Sequence, residues 1–370
     1  MRRDIGMVLA GLGAFLILLA VAFPVYLQDR LVKFPLTYSY QAILNSPNTT
    51  YFSPHTISEL TGRNVQAVYT LTGDTAAGSS STSVWSLDTY LHDPGFPGHT
   101  GDINYSTGTF AFDRKTGQLK NCCGAGQNGK RVVMSGIAGF VWPIGTQQKT
   151  YMVFDTTLDQ AKPFTYSGTD TVDGILTYKF TEAVPPTKIG FSPLSQTEPE
   201  FYQINATYWV DPDTGALLKV SEHQQQFLEN PITSARTTTL FDGTLTPTDA
   251  SVAHIAAIDN SGRIKKTMFE TGIPLVSGIL GGALLVWGIL LGVRRRRDFA
   301  ESGFEAMTRE LTAAAPPDEG ANASQATGAK HAAGSSHSLA GIVPGIDADA
   351  HESNSPSAEG ENPDKADPPA

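Results

Sequence analysis

Two stretches without a charged residue dominate what this chain can fold into: "IGMVLAGLGAFLILLAVAFPVYL" (Ile5 to Leu27) and "IPLVSGILGGALLVWGILLGV" (Ile273 to Val293). They run to 23 and 21 residues, and about 20 apolar residues let a helix cross the hydrocarbon core of a bilayer. Arginines flank them on their outer sides, Arg2 and Arg3 before the first and Arg294, Arg295, Arg296 and Arg297 after the second. Positive residues collect on the cytoplasmic side of membrane helices. Both termini are therefore expected inside the cell, with the 245 intervening residues outside. The first stretch also fits a secretory signal peptide, with Ala20 and Ala22 at the small positions of a cleavage site. It runs past that site to Leu27, longer than the usual signal core, which favours retention.

The arginine run also raises nucleic-acid binding, and the charge around it argues against that. From Arg294 onward there are seven Lys/Arg and thirteen Asp/Glu, a balance that phosphate would repel. The arginines are better read as a stop-transfer anchor that can also touch anionic headgroups. The expected organisation is an N-terminal membrane helix over residues 1–27 and an extracytoplasmic domain over 28–270. A second membrane helix over 271–293 and a cytoplasmic segment over 294–370 complete it. Within that last segment, residues 298–315 suit a helix lying along the membrane. Beyond Pro316 the chain is too poor in large apolar residues to repay ordering, and disorder is expected.

The central region reads as mainly β with an α+β ending. "VQAVYTLTG" (Val65 to Gly73) and "STSVWSLDTYL" (Ser81 to Leu91) carry the Thr, Val and aromatic residues of strands. "VDGILTYKF" (Val172 to Phe180) places an Asp-Gly turn before another such run. Two segments share a layout: "INYSTGTFAFDRKTGQLKN" (Ile103 to Asn121) and "INATYWVDPDTGALLKV" (Ile204 to Val220). In each, alternating aromatics lead into Asp-x-x-Thr-Gly and a second apolar run. Both are expected to be hairpins, with Gly117 and Gly215 at positive φ and Asp113 and Asp211 bonding the turn backbone. Near the second membrane stretch the period changes. Thr248 suits a helix N-cap, Val252, Ile255 and Ile258 an apolar face, and Gly262 a stop.

Few residues carry an obvious chemistry. The only cysteines are the adjacent Cys122 and Cys123, which excludes a framework of bridges across the fold. Oxidation outside the cytoplasm would make them a vicinal disulfide, a rigid turn more readily than a redox switch. His92, Asp93, His99 and Asp102 gather in "YLHDPGFPGHTGD", but the Gly- and Pro-rich spacing does not fix both imidazoles on one face, so a surface loop is the simpler expectation. His55, His223 and His254 stand alone. The signatures of serine hydrolases, phosphate-binding loops and zinc proteases are missing. Carboxylates of a glycosidase would not show in spacing at all. The expectation is therefore a protein without cofactor or metal, and not an enzyme.

One helix at each end of a β-rich domain of this size, with "VYLQDRLVKFPL", "FDRKTG", "KTYMVFD", "FTYSGTDTVDGILTYKF" and "YWVDPDTG" in order, resembles the actinobacterial family known as porin PorA. The resemblance covers about residues 1 to 295 and leaves out the tail and the Cys122-Cys123 pair. It implies a cell-envelope membrane protein, and members in mycolate-making bacteria are associated with maturation of lipomannan-type lipoglycans. The two-helix layout is also similar to class B scavenger receptors, whose outside domains bind lipids and carry them through an internal tunnel. A spanning barrel carries no membrane helices, so an inner-membrane protein with a soluble outer domain is the better expectation. Three functions stand open. The first is binding or transfer of membrane lipid or lipoglycan. The second is a scaffold for membrane glycosyltransferases, helped by small residues Gly278, Gly281 and Gly282 in the second helix. The third is an envelope hydrolase.

Overall fold

A computed structural model describes residues 2–27 and 31–313. Its centre is one antiparallel sheet of twelve strands, in the order β5-β4-β3-β2-β1-β12-β11-β10-β9-β8-β7, with β6 on the side of β4. The strands that position the site are β1 (Ser39–Ser53), β2 (Ser58–Gly73), β3 (Thr82–His92) and β4 (Asp102–Asp113). On the other side lie β9 (Ile175–Phe191), β10 (Pro199–Val210), β11 (Leu217–Glu229) and β12 (Arg236–Pro247). Short β5 (Leu119–Lys120) and β7 (Tyr151–Asp155) end the order, and β6 (Gly126–Gln127) and β8 (Gln160–Val172) complete the set. The two ends of the sheet meet locally. Leu119 N donates to Gly136 O (2.8 Å), while Ile137 exchanges bonds with β7 through Met152 O and Phe154 N (2.8 and 3.0 Å).

Alternation explains why the sheet has an inside. On β11, Leu218, Val220 and Glu222 are buried, while Lys219, Ser221 and His223 between them are part-exposed on the other face. Successive side chains of a strand point to opposite faces, so the curved sheet holds an apolar interior and presents a polar exterior. A polar exterior is the opposite of what a lipid-facing barrel wall needs.

The turns follow one recipe. In both expected hairpins the Asp side chain accepts turn amides, Asp113 from Lys115 and Thr116 and Asp211 from Asp213, and the glycine four residues on has φ of 66° (Gly117) or 76° (Gly215). Two further hairpins use it without glycine: Asp155 bonds Thr157 N and Leu158 N ahead of Asp159 (φ 54°), and Asn230 bonds Ile232 N and Thr233 N ahead of Ser234 (φ 54°). Gly215 is needed for a second reason, since a Cβ there would stand 2.1 Å from Trp142 O. The segment carrying Trp142 crosses one end of the sheet and ties the twin hairpins together, Trp142 N to Gly215 O (2.9 Å) and Ile144 N to Lys115 O (2.9 Å).

Helix α1 (Arg2–Ala22) precedes the sheet, continued by a π-helical turn over Phe23–Leu27. After β12 come α2 (Asp249–Thr267), a π-helical turn over Met268–Gly272, and α3 (Ile273–Ala313). Thr248 caps α2 as expected, its side chain accepting from Ser251 N. The expected stop at Gly262 is not there. The helix runs on to Thr267, because Arg263 and Lys266 in the next turn pair with Asp211 and Asp213 of the β10–β11 hairpin. Of the 298–315 stretch expected to be a helix lying along the membrane, residues 298–313 are helical as the direct continuation of α3, and 314–315 lie outside the described residues. Compact units divide after Glu305; the tail expected to be disordered, 316–370, lies outside the described residues.

Helices α1 and α3 are long and apolar enough to cross a membrane. Their outward residues include Leu18, Val21, Ile279 and Trp287, each more than 60% exposed, which suits lipid and not water. The two pack against each other antiparallel through small residues. A Cβ on Gly13 would stand 2.5 Å from Leu285 N, and one on Gly288 would stand 2.6 Å from Ala10 N. Positions 2–3 and 294–297 therefore fall at the same end of the pair.

Candidate functional site

The inward faces of the strands enclose an elongated cavity of about 1150 Å³, at the upper end of or above the range of small-molecule pockets. One end lies where the helices leave the sheet, lined by Leu31, Phe34, Ile255 and Phe269. The other end lies at the opposite hairpins, lined by Phe52, Pro54, Pro193 and Leu194. Along β1 the lining runs from Tyr40 to Phe52, roughly 40 Å at the usual strand rise. The helix half is walled by aromatics: Tyr38 stacks on Trp85 at 4.1 Å, and Trp85 meets Phe112 edge-on at 5.1 Å. The segment after α1 is held there by Trp85, whose Nε1 donates to Pro35 O (3.2 Å), and by Phe34, bonded both ways to Arg114 (2.7 Å).

Toward the far half the lining turns polar. Inward positions on β11 read Leu218, Val220, Glu222, Gln224, Gln226 in order away from the helices. Glu222 and Glu182 of β9 both pair with Ala206 of the intervening β10, so they sit on one rung with Cα atoms two strand spacings apart, roughly 9–10 Å. Asp155, at the end of β7, completes the group. Glu222 is satisfied: Tyr208 Oη donates to its Oε1 (2.5 Å) and Gln224 Nε2 to its Oε2 (2.9 Å). Glu182 is not. It is only 7% exposed, it lines the cavity, and its Oε1 is buried without a hydrogen-bond partner.

Burial, reinforced by the charges of Asp155 and Glu222, pushes the Glu182 carboxyl from 4.5 up to about 8. Burial also raises Glu222 and Asp155 from their ordinary values. At neutral pH Glu182 therefore holds a proton and can donate as well as accept. The lining lysines Lys33, Lys265 and Lys266 belong to the helix half, where Lys219 borders the cavity from the outward face of β11 with its amine over the Trp209 ring. Lys162, whose charge reaches Asp155 and Glu182, lies outside the lining and bonds Gln160 (3.1 Å).

The residues singled out from sequence are not brought together here. Cys122 and Cys123 have their sulfurs joined, on an exposed turn before β6 and away from the cavity. Asp93 pairs with Arg63 (2.6 Å) and accepts from Tyr51 (3.0 Å), and Asp102 takes His99 (2.9 Å) and Tyr90, so these acids hold the β3–β4 turn. Arg2, Arg3 and Arg294 to Arg297 are placed only by their backbone, in α1 and α3. Neither Glu182 nor Glu222 was singled out. A signal for them existed, since a two-residue period puts Glu182 between inward Phe180 and Val184, and Glu222 after Val220.

A family model described as Porin PorA matches residues 5–290. A curated relative named "Porin PorA", from Corynebacterium resistens (strain DSM 45100), is 22% identical over 232 residues, with 43% of this chain and 56% of the relative covered. The chain thus spans about half the length of that relative.

Proposed function

The chain belongs to the Porin PorA family, and from that premise we propose that this membrane protein binds or transfers lipid or lipoglycan during envelope biogenesis. The sheet stands outside the cytoplasmic membrane in this reading, as a domain over residues 28–270, with both termini inside. The observation that carries it is the cavity: about 1150 Å³, walled by aromatics, beginning where α2 and the segment after α1 lead to the membrane helices. An acyl chain could pass from bilayer to cavity without leaving apolar surroundings. Burial of apolar area drives such a transfer at about 25 cal/mol per Å².

The competing readings have less support. A scaffold for glycosyltransferases drew on small residues in the second helix, but Gly281 and Gly288 are occupied by α1 of the same chain, and among those glycines Gly282 is the one with open space. Hydrolysis by a carboxyl pair asks for one proton donor and one ionised partner, whereas burial pushes Glu182 and Glu222 in the same direction.

The test is native mass spectrometry on the full chain, purified from an actinobacterial host and washed through detergent exchange. Retained lipid near one per chain, lost in a folded Ala42→Trp variant that fills the cavity, is the expected result. An empty wild-type cavity, or retention that the filled variant does not change, would overturn the proposal.

A further inference from the structure

Within the lipid-binding reading, on which this inference rests, the two halves of the cavity differ in what they can solvate. The helix half offers aromatic walls and the lining lysines Lys33, Lys265 and Lys266. The far half offers Asp155, Glu182, Glu200, Glu222 and the amides of Gln224 and Gln226, without a lining lysine or arginine among the described residues. We infer that the far half receives the polar head of an uncharged amphiphile, an ester carrying a free hydroxyl such as a diacylglycerol, and turns away phosphate-bearing heads.

Three observations carry it. First, Glu182 is 93% buried by its 7% exposure, lines the cavity and leaves Oε1 unpartnered; buried polar atoms without partners are rare and costly, so such an atom calls for a ligand group. Second, the neighbouring acids are already supplied with donors: Tyr208 and Gln224 for Glu222, and the Thr157 and Leu158 amides for Asp155. Glu200 is half-buried nearer the hairpins, which leaves Glu182 as the buried acid without a donor, and a neutral carboxyl there both donates to a carbonyl or hydroxyl oxygen and accepts from a hydroxyl. Third, a phosphate brought to this half would be stripped of water beside four lining carboxyls, while the nearby cation, Lys162, stays outside the lining and bonds Gln160; burial of a charge without a direct partner is strongly unfavourable. An amine head would require ionised carboxylates, which burial disfavours here.

The experiment offers the full chain in detergent an equimolar mixture of dioleoylglycerol, dioleoylphosphatidic acid and a dioleoyl lipid with a cationic amine head, and reads bound lipid by native mass spectrometry. All three share their acyl chains. Dioleoylglycerol is expected to exceed each of the others at least about tenfold. Glu182→Gln, which keeps a neutral donor and acceptor, should hold that uptake within about twofold, and Glu182→Leu should lower it about fivefold, in line with one hydrogen bond. Equal uptake of the three, preference for either charged head, or greater uptake by Glu182→Leu would overturn the inference while leaving lipid binding intact. Uptake of none of them by the wild type would instead sink the lipid-binding reading, and this inference with it.

Discussion

At the helix end of the cavity, Asp211 is fully buried and fully engaged. It accepts from Asp213 N (2.8 Å), Thr214 Oγ1 (3.2 Å) and Arg263 Nη1 (3.3 Å). Thr214 also contacts Asp259 of α2, whose other oxygen is likewise buried without a partner but lies within the field of Arg263, so hairpin and helix share one polar knot with a cation in it. At the far end, Glu182 is nearly as buried, has no partner for one oxygen and no lining cation beside it. A buried charge with a cation and donors fastens one element to another; a buried carboxyl kept neutral and unpartnered is a cost the fold carries for something else. The difference separates a latch from a site.

That contrast can be broken in four places. The largest effect is expected for Asp211→Ala, which strips the hairpin of its cap and leaves Arg263 without its buried partner. Unfolding followed by tryptophan fluorescence should show a loss of about 3 kcal/mol, roughly 1 kcal/mol for each of the three hydrogen bonds that Asp211 accepts. Glu182→Gln should act in the opposite direction and only at higher pH. With a folded value of about 8 against 4.5 unfolded, the native state holds a proton that the unfolded state has released between those values. The contribution of Glu182 to stability is therefore fully present below pH 4.5 and is lost as pH rises through 8. The variant should lack this part of the slope, gaining roughly 2 kcal/mol over wild type near pH 8 and nothing near pH 4. A flat wild-type profile would show Glu182 to be as well paired as Asp211. Arg263→Ala is expected to cost about 1 kcal/mol, since Asp211 keeps its other donors. Asp213→Asn should cost less than about 0.5 kcal/mol, because Asp213 is 55% exposed and its pairs with Arg263 and Lys266 are solvated.

Much of the fold was legible because it was written in local chemistry. The Asp173-Gly174 turn, with φ of 47° and 78°, is the twisted two-residue hairpin that such a dipeptide favours. The Asp113 and Asp211 hairpins announced themselves by a glycine four residues on. Their two counterparts at Asp155 and Asn230 did not, because Asp159 and Ser234 adopt the same left-handed conformation without the residue that signals it. Gly262 misled for the converse reason: glycine permits a helix stop but does not impose one, and the ion pairs of Arg263 and Lys266 hold the next turn. The acid group was hidden by distance. Glu182 and Glu222 stand 40 positions apart in the chain, and only the pairing of both strands with Ala206 brings them to one rung.

The glycine contacts between the two membrane helices also have a consequence in time. Gly13 and Gly281 touch across the pair, yet they are 268 positions apart. At the usual pace of translation, 5–20 residues per second, roughly 15–50 s pass between the synthesis of one and of the other. On the two-pass reading proposed above, the first helix has no partner for that interval, and its smallest residues face lipid. It must hold its place in the bilayer by its own unbroken apolar run, while the whole sheet is made and begins to fold. The second helix arrives to a neighbour already in position, and its synthesis completes the anchor that the first has held alone.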